Sequence, residues 1–253
     1  MHSDAHSAEI IRADGAGPIV FACDHASCAI PAGYDGLGLS EDARRSHAAW
    51  DIGARDLALA LSDAFDAPLV ASRVSRLVYD VNRPLESPTA IPEKSEIFDV
   101  PGNHGLSDAD RQARFDSCHA PFHSAISDVL DARDDAPAFV TIHSFTPVYN
   151  GVRRDVEIGY LHDQGDALAR AALEAEQAAG RYRAALNEPY AASDGVTHTL
   201  RLHGEARGLP TLMIEVRNDL IDTPDTAREM ATHLAEVLRQ SLKSIAQPKE
   251  KSA

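Results

Sequence analysis

An aspartate and a histidine arrive together where the first strongly apolar run ends: IVFACDHAS delivers Asp24 and His25. A later run, FVTIHSF, delivers His143 at the same kind of position. Imidazole suits zinc, and rigid strands can fix ligand angles, so two strand-end histidines point to a shared metal. The third ligand should be a carboxylate, and Asp51 is preferred because it follows Trp50 on or beside an apolar helix stripe. A charge so placed is costly to bury unless a cation pairs with it. The alternative is an Asp51 turned to solvent or to an arginine. Glu215 falls inside TLMIEVRN, which otherwise reads as a buried strand. Desolvation raises a carboxyl pKa, the property wanted in a base that takes a proton from water and returns it to a leaving group. Its alternative is a salt bridge with Arg207, or with Arg217 two residues along the same strand face.

The segment SRLVYDVNRP carries Arg76 before an apolar run and Asn82-Arg83 after it. Arginine presents a planar fork that matches a carboxylate bidentately, so these residues suit an anionic substrate. Pairing with surface acids is the competing reading. Other histidines compete for the metal. His119 and His123 have the i, i+4 spacing of one helix face, but Ala-Pro-Phe between them holds no glutamate, and Pro121 disturbs the helix. His198 and His203, in THTLRLHGEARG, could orient substrate or stabilise an oxyanion. There is no Walker loop, dinucleotide-binding GxGxxG or GxSxG elbow. Cys23 and Cys28 flank His25 and suit small core positions as well as thiol chemistry.

Positioning these residues falls to strands expected at Ile19–Cys23, Leu69–Ser72, 77–81, 139–142, 156–161 and 211–216, several too continuously apolar to be half-exposed. A first helix capped by Ser40 is expected to align Ala43, His47, Trp50, Ala54, Leu57 and Leu61 on one stripe. Further helices are expected at 108–133, with an interruption at Pro121, and at 165–179 and 224–244. Strands alternating with helices predict an α/β protein: a three-layer αβα arrangement, with a mostly parallel mixed sheet and helices on both faces. Ligands gather at the carboxyl ends of such strands. One domain over 16–245 is expected, with flexible tails at 1–15 and 246–253.

The 253 residues carry 24 Lys+Arg against 39 Asp+Glu, a formal charge of −15. That balance argues against nucleic acid or an anionic membrane as partner. No run approaches the roughly 18 apolar residues of a membrane span, and the first fifteen residues lack the basic and apolar regions of a secretion signal. Three cysteines are too few for a disulfide framework. A soluble, cytoplasmic protein is expected.

Taken together, these stretches resemble the N-formylglutamate amidohydrolase family. The likeness runs from residue 18 to residue 242 and rests on DHAS, AWDIGA, SRLVYDVNRP, PGNHGLS, IHSFTP, NEPY, HGEARGLP and IEVRNDLI in that order. That family is related to zinc carboxypeptidases and aspartoacylases. The resemblance implies a zinc-exopeptidase-like fold and one zinc ion held by His25, an acidic residue and His143-Ser144. It also implies an Asn82-Arg83 grip on a substrate carboxylate, with Glu215 as base. One departure matters: the relatives' His-x-x-Glu ligand pair is absent, because Cys28 stands three residues after His25. The carboxylate ligand is then Asp51, with Asp24 as the alternative. The implied reaction is zinc-dependent hydrolysis of N-formyl-L-glutamate to formate and glutamate. Arg76 would stabilise the oxyanion, and Ser144 and His203 would contact substrate. A carboxypeptidase or N-acyl amino acid deacylase with the same zinc chemistry is one rival reading. A non-catalytic protein that binds an anionic metabolite is another.

Overall fold

The computed structural model describes residues 7–135 and 137–247. Seven strands make the main sheet: β1 (Ala8–Ile11), β2 (Ile19–Cys23), β3 (Leu69–Ser72), β4 (Ala138–Phe145), β5 (Ile158–Leu161), β6 (Ala184–Leu186) and β7 (Thr211–Arg217). Their spatial order is β1-β3-β2-β4-β7-β5-β6. Neighbours pair in parallel except β1 with β3 and β7 with β5. The helices are α1 (Glu41–Arg45), α2 (Ala54–Phe65), α3 (Asp108–Arg114), α4 (Ala120–Asp131), α5 (Ala167–Ala179) and α6 (Pro224–Ala246).

Central parallel strands are covered on both faces and must be apolar on both. Every residue of β2, β4 and β7 is accordingly buried. On one face, Leu57 and Leu61 of α2, Leu168 of α5 and Leu234 and Leu238 of α6 pack with Phe21, Val140 and Ile214. On the other, Phe122 and Ile126 of α4 pack with Val20, Phe139 and Met213. This is the three-layer αβα arrangement expected from the sequence. Among the described residues no helix is long and apolar enough to cross a membrane.

Four expectations are corrected. The segment expected as an N-terminal tail contains β1, which pairs with β3 along the sheet edge, while Glu9 accepts a 2.8 Å bond from Arg55. Residues 1–6 and 248–253 of the expected tails lie outside the described residues. The run 77–81 is buried but forms turns, not a strand. Ser75 Oγ accepts from Leu77 N at 3.2 Å and Asp80 Oδ1 from Asn82 N at 2.9 Å, side-chain acceptors that compete with a ladder. The strand β6 was not expected, since its three residues are only half-buried.

The expected first helix is two helices. Ser40 caps α1 as anticipated, accepting from Ala43 N at 3.2 Å. Ser46 then ends it by donating to Ala43 O at 2.8 Å. Gly53, at φ 79°, starts α2, and a Cβ there would run into the carbonyl oxygen of Ile221. Asp51 therefore stands in the turn between two helices rather than on a helix stripe. In the 108–133 segment the interruption is a single π-helical turn, Phe115–His119, just ahead of Pro121 in α4.

Candidate active site

Three adjacent strands supply the site from their carboxyl ends. β2 hands over to Asp24 and His25, β4 carries His143 and Ser144, and β7 carries Glu215 directly opposite His143 in register. The turn before α2 brings Asp51 across these ends, its N–H bonded to His25 O at 2.9 Å. His25 Nδ1 and His143 Nδ1 lie 3.2 and 3.0 Å from the same atom, Asp51 Oδ2. The two rings meet edge-on with centroids 5.1 Å apart, and all three residues are buried, His25 at 5% exposure and the others at 1%. One ligand atom from each lies within 4.8 Å of the other two.

A second layer of acids holds the rings. His25 Nε2 contacts Asp80 Oδ1 at 2.8 Å. His143 Nε2 lies 2.9 Å from Asp24 Oδ2, an ion pair without hydrogen-bond alignment. Asp24 is fixed in turn by Thr199 Oγ1 at 2.5 Å. Ligating imidazoles commonly have their outer nitrogen held by a carboxylate in this way. Arg76 Nη1 donates to Asp51 Oδ1 at 2.9 Å, and its other donors go to the carbonyls of Ala48 and His47.

Charge balance tests whether a metal suits this group. Of Asp24, Asp51 and Asp80 only Asp51 is bonded to an arginine, Arg76, while Arg83 acts on Asp80 from further off, so two buried carboxylates lack a bonded guanidinium. Two imidazole protons neutralise them, and so does one divalent cation between neutral rings. In the metal-free protein the protons are held tightly. Burial lowers the His143 pKa, but Asp24 and Asp51 outweigh it and raise the ring to about 10. Burial of His25 is likewise outweighed by Asp80 and Asp51. Asp51 is held well below the carboxylate range, its burial overcome by Arg76 and His25. Nitrogen and carboxylate donors converging from three elements, with that charge deficit, fit a zinc-class cation.

Glu215 behaves differently. Burial first, and the Asp51 charge after it, push its pKa up to about 7 against the pull of His143. Its Oε2 is buried without a hydrogen-bond partner. The arginines that might have paired with it bond elsewhere: Arg217 to Asp219 at 2.8 Å, and Arg207 to Asp131 at 2.8 Å.

A cavity of about 310 Å³ opens over these groups. His25, Asp51, Arg76, Asn82, Arg83, His143, Ser144 and Glu215 all line it. Several have other tasks than those expected. The Arg76 guanidinium is committed to Asp51 and two carbonyls, so it braces a candidate ligand rather than an oxyanion. Asn82 spends its amide on Val196 O at 2.6 Å and Thr199 N at 3.0 Å, positioning that segment. Ser144 Oγ donates to Ile52 O at 2.8 Å and holds the Asp51 turn. Arg83, half-buried, reaches the cavity and bonds Thr89 Oγ1 at 3.2 Å. His203 is not brought to the cavity. It stacks on His123, centroids 5.0 Å apart, in a separate group of histidines.

Three further residues at the site carry no role in the sequence: Asp80, which lies in an apolar run, Tyr190 and Arg154. Tyr190 lines the cavity, and its pKa is pushed to about 12 by burial and by the Glu215 charge. Arg154 donates to Tyr190 Oη at 3.2 Å and lies over the rings of Phe145, Tyr149 and Tyr190. The NEPY stretch was a visible signal for Tyr190, but nothing in the chain marked where it would fold.

The arrangement is that of an α/β protein with a polar site at the carboxyl ends of its parallel strands. The chain belongs to the N-formylglutamate amidohydrolase family, which it matches over residues 17–222. It is similar to a gene product of Agrobacterium tumefaciens of known crystal structure, at 47% identity and a TM-score of 0.93, over 96% of this chain and 97% of that one. It shares its fold with an N-formylglutamate amidohydrolase from Ralstonia eutropha, at 18% identity and a TM-score of 0.66, over 94% of this chain and 98% of that one. No match was found among curated proteins.

Proposed function

We propose that this protein hydrolyses the formyl amide of an N-formylated acidic amino acid, N-formyl-L-glutamate first among them, with one zinc ion as cofactor. The observation that carries this reading is the buried, partnerless Oε2 of Glu215 beside two imidazoles that share one Asp51 oxygen. His25, Asp51 and His143 would hold the metal. Zinc supplies Lewis acidity there, making water acidic enough to lose a proton near neutral pH.

Glu215 receives that proton on Oε2 as the water oxygen bonds to the formyl carbon. It then delivers the proton to the amide nitrogen, so the C–N bond breaks to give formate and a free amine. Burial, which disfavours the charged carboxylate, suits a group that must both accept and release a proton. Arg83 offers a fork of donors at the cavity for a substrate carboxylate, fixing the amide above the site. Formate release from a panel of N-formyl amino acids tests the reading. Turnover of N-formylglutamate above its neutral and basic counterparts is expected, and no preference for acidic side chains contradicts it.

A second substrate reading has one observation in its favour. A further open cavity of about 700 Å³, bordered by Arg154, shares Tyr149 and Tyr190 with the first. That space suits a longer acyl or peptidyl group on the same chemistry, as in a deacylase or carboxypeptidase. N-acetyl and dipeptide members of the panel separate the two.

A further inference from the structure

A second group of imidazoles lies outside the cavity. His119 closes the π-helical turn Phe115–His119, His123 follows on α4, and His198 and His203 come from the other end of the chain. The Nε2 atoms of His119 and His198 are 3.1 Å apart. His119, His123 and His198 each offer a ring nitrogen within 4.8 Å of the other two. Metal–nitrogen bonds of about 2.0–2.1 Å at tetrahedral angles put two ligand nitrogens about 3.3 Å apart. The His119–His198 spacing is close to that.

The surroundings agree. His123 donates Nε2–H to Val81 O at 2.8 Å, which leaves Nδ1 as its lone-pair nitrogen, 2.7 Å from His203 Nε2, a contact that a cation would replace. A backbone carbonyl is a usual anchor for the outer nitrogen of a ligating ring. Among the described residues, the facing Nε2 atoms of His119 and His198 have no hydrogen-bond contact except with each other. A counter-charge is near, because Thr199, adjacent to His198, bonds Asp24. His119 and His203 each sit in a π-helical turn, a distortion that recurs at functional sites.

We propose that His119, His123 and His198 bind a second divalent cation of the zinc, cobalt or nickel type, independently of the His25–Asp51–His143 group. Neutral imidazoles favour such metals over magnesium or calcium. The cation would tie α4 to a segment 79 positions away in sequence, counted from His119 to His198. Asn82 holds that segment at Val196 and Thr199, and Val196 lines the active cavity. The second cation is therefore a brace for one cavity wall and for the Thr199–Asp24–His143 chain.

Zinc content after chelation, reloading and removal of free metal tests this, with thermal stability as a second readout. The wild-type chain is expected to retain two equivalents. His198→Gln and His143→Ala should each retain one, and the double variant none. Added zinc should raise the Tm of His143→Ala and leave that of the double variant unmoved. His198 is half-buried, so its replacement is well placed to fold. Should far-UV circular dichroism show otherwise, His119→Gln gives the same test. Retention by His198→Gln and His119→Gln equal to wild type overturns the second site and leaves the first untouched. Loss in those variants with none in His143→Ala upholds the second site and removes the first.

Discussion

Glu215 and His143 stand directly opposite each other on the neighbouring parallel strands β7 and β4. Side chains alternate with a period of two along a strand. This one register therefore puts a partnerless carboxyl and an imidazole held between two aspartates on the same sheet face. A one-residue slip of β7 would turn Glu215 to the opposite face.

Glu215→Gln keeps shape and burial but removes the proton acceptor. Turnover of N-formylglutamate is expected to fall about 10²–10⁴-fold, with zinc content unchanged. Measuring kcat and bound metal on the same sample checks it, and near-normal kcat removes Glu215 from the role of base.

The metal-free protein should lose stability as pH rises through the alkaline range. His143 is raised to about 10 from its ordinary 6.5. A folded-state pKa above the unfolded one gives stability that is complete below the unfolded value and lost as pH climbs through the folded one. Glu215, raised to about 7 from 4.5, acts in the same direction at lower pH. The Tm of the chelated protein should thus decline from about pH 8 to about pH 10, above the range in which the depressed rings of His47, His119, His198 and His203 act in the opposite sense. In His143→Ala the alkaline part of the decline should flatten. Zinc uptake replaces ring protons, so its affinity should rise with pH. A Tm climbing over this range would contradict the charge balance derived for the site.

Arg83→Ala should act on binding. Hydrogen bonds to a charged group are each worth about 1.5–3 kcal/mol, so KM for N-formylglutamate is expected to rise tenfold or more while kcat changes little. Steady-state kinetics decide it, and an unchanged KM places the carboxylate elsewhere, with Arg154 next in line.

Arg76→Ala separates bracing from oxyanion stabilisation. Removing one partner of a buried ion pair costs about 3 kcal/mol, so the metal-free Tm should drop markedly. Zinc-saturated kcat should stay within about tenfold of wild type, whereas removing a true oxyanion donor costs about 10²–10³. A kcat loss of that larger size with unaltered stability would return Arg76 to the oxyanion.

The central strands and their polar ends were legible because a fully buried parallel strand has to be apolar, so a charged or titratable residue in or just after such a run stands out. That rule marks His25, His143 and Glu215 without any knowledge of what lies between them. Edges are different. β1 was illegible because it is short, half-exposed and carries Glu9, whose partner Arg55 comes from α2. The run 77–81 misled because a buried turn and a buried strand share the same composition. Asp51 stands out in the sequence by its proximity to a helix stripe, and the structure brings it to the site by breaking that helix ahead of Gly53. Of the second histidine group only the His119–His123 spacing was legible, because His198 reaches that pair through the tertiary fold alone.

Loss and recovery of formate release on chelation and zinc replacement bears most directly on the His25–Asp51–His143 centre. Metal-stripped protein should be inactive on N-formylglutamate, and added zinc should restore the rate in wild type but not in His143→Ala. Full turnover by protein shown by elemental analysis to be free of metal would contradict a metal-dependent reaction at this site.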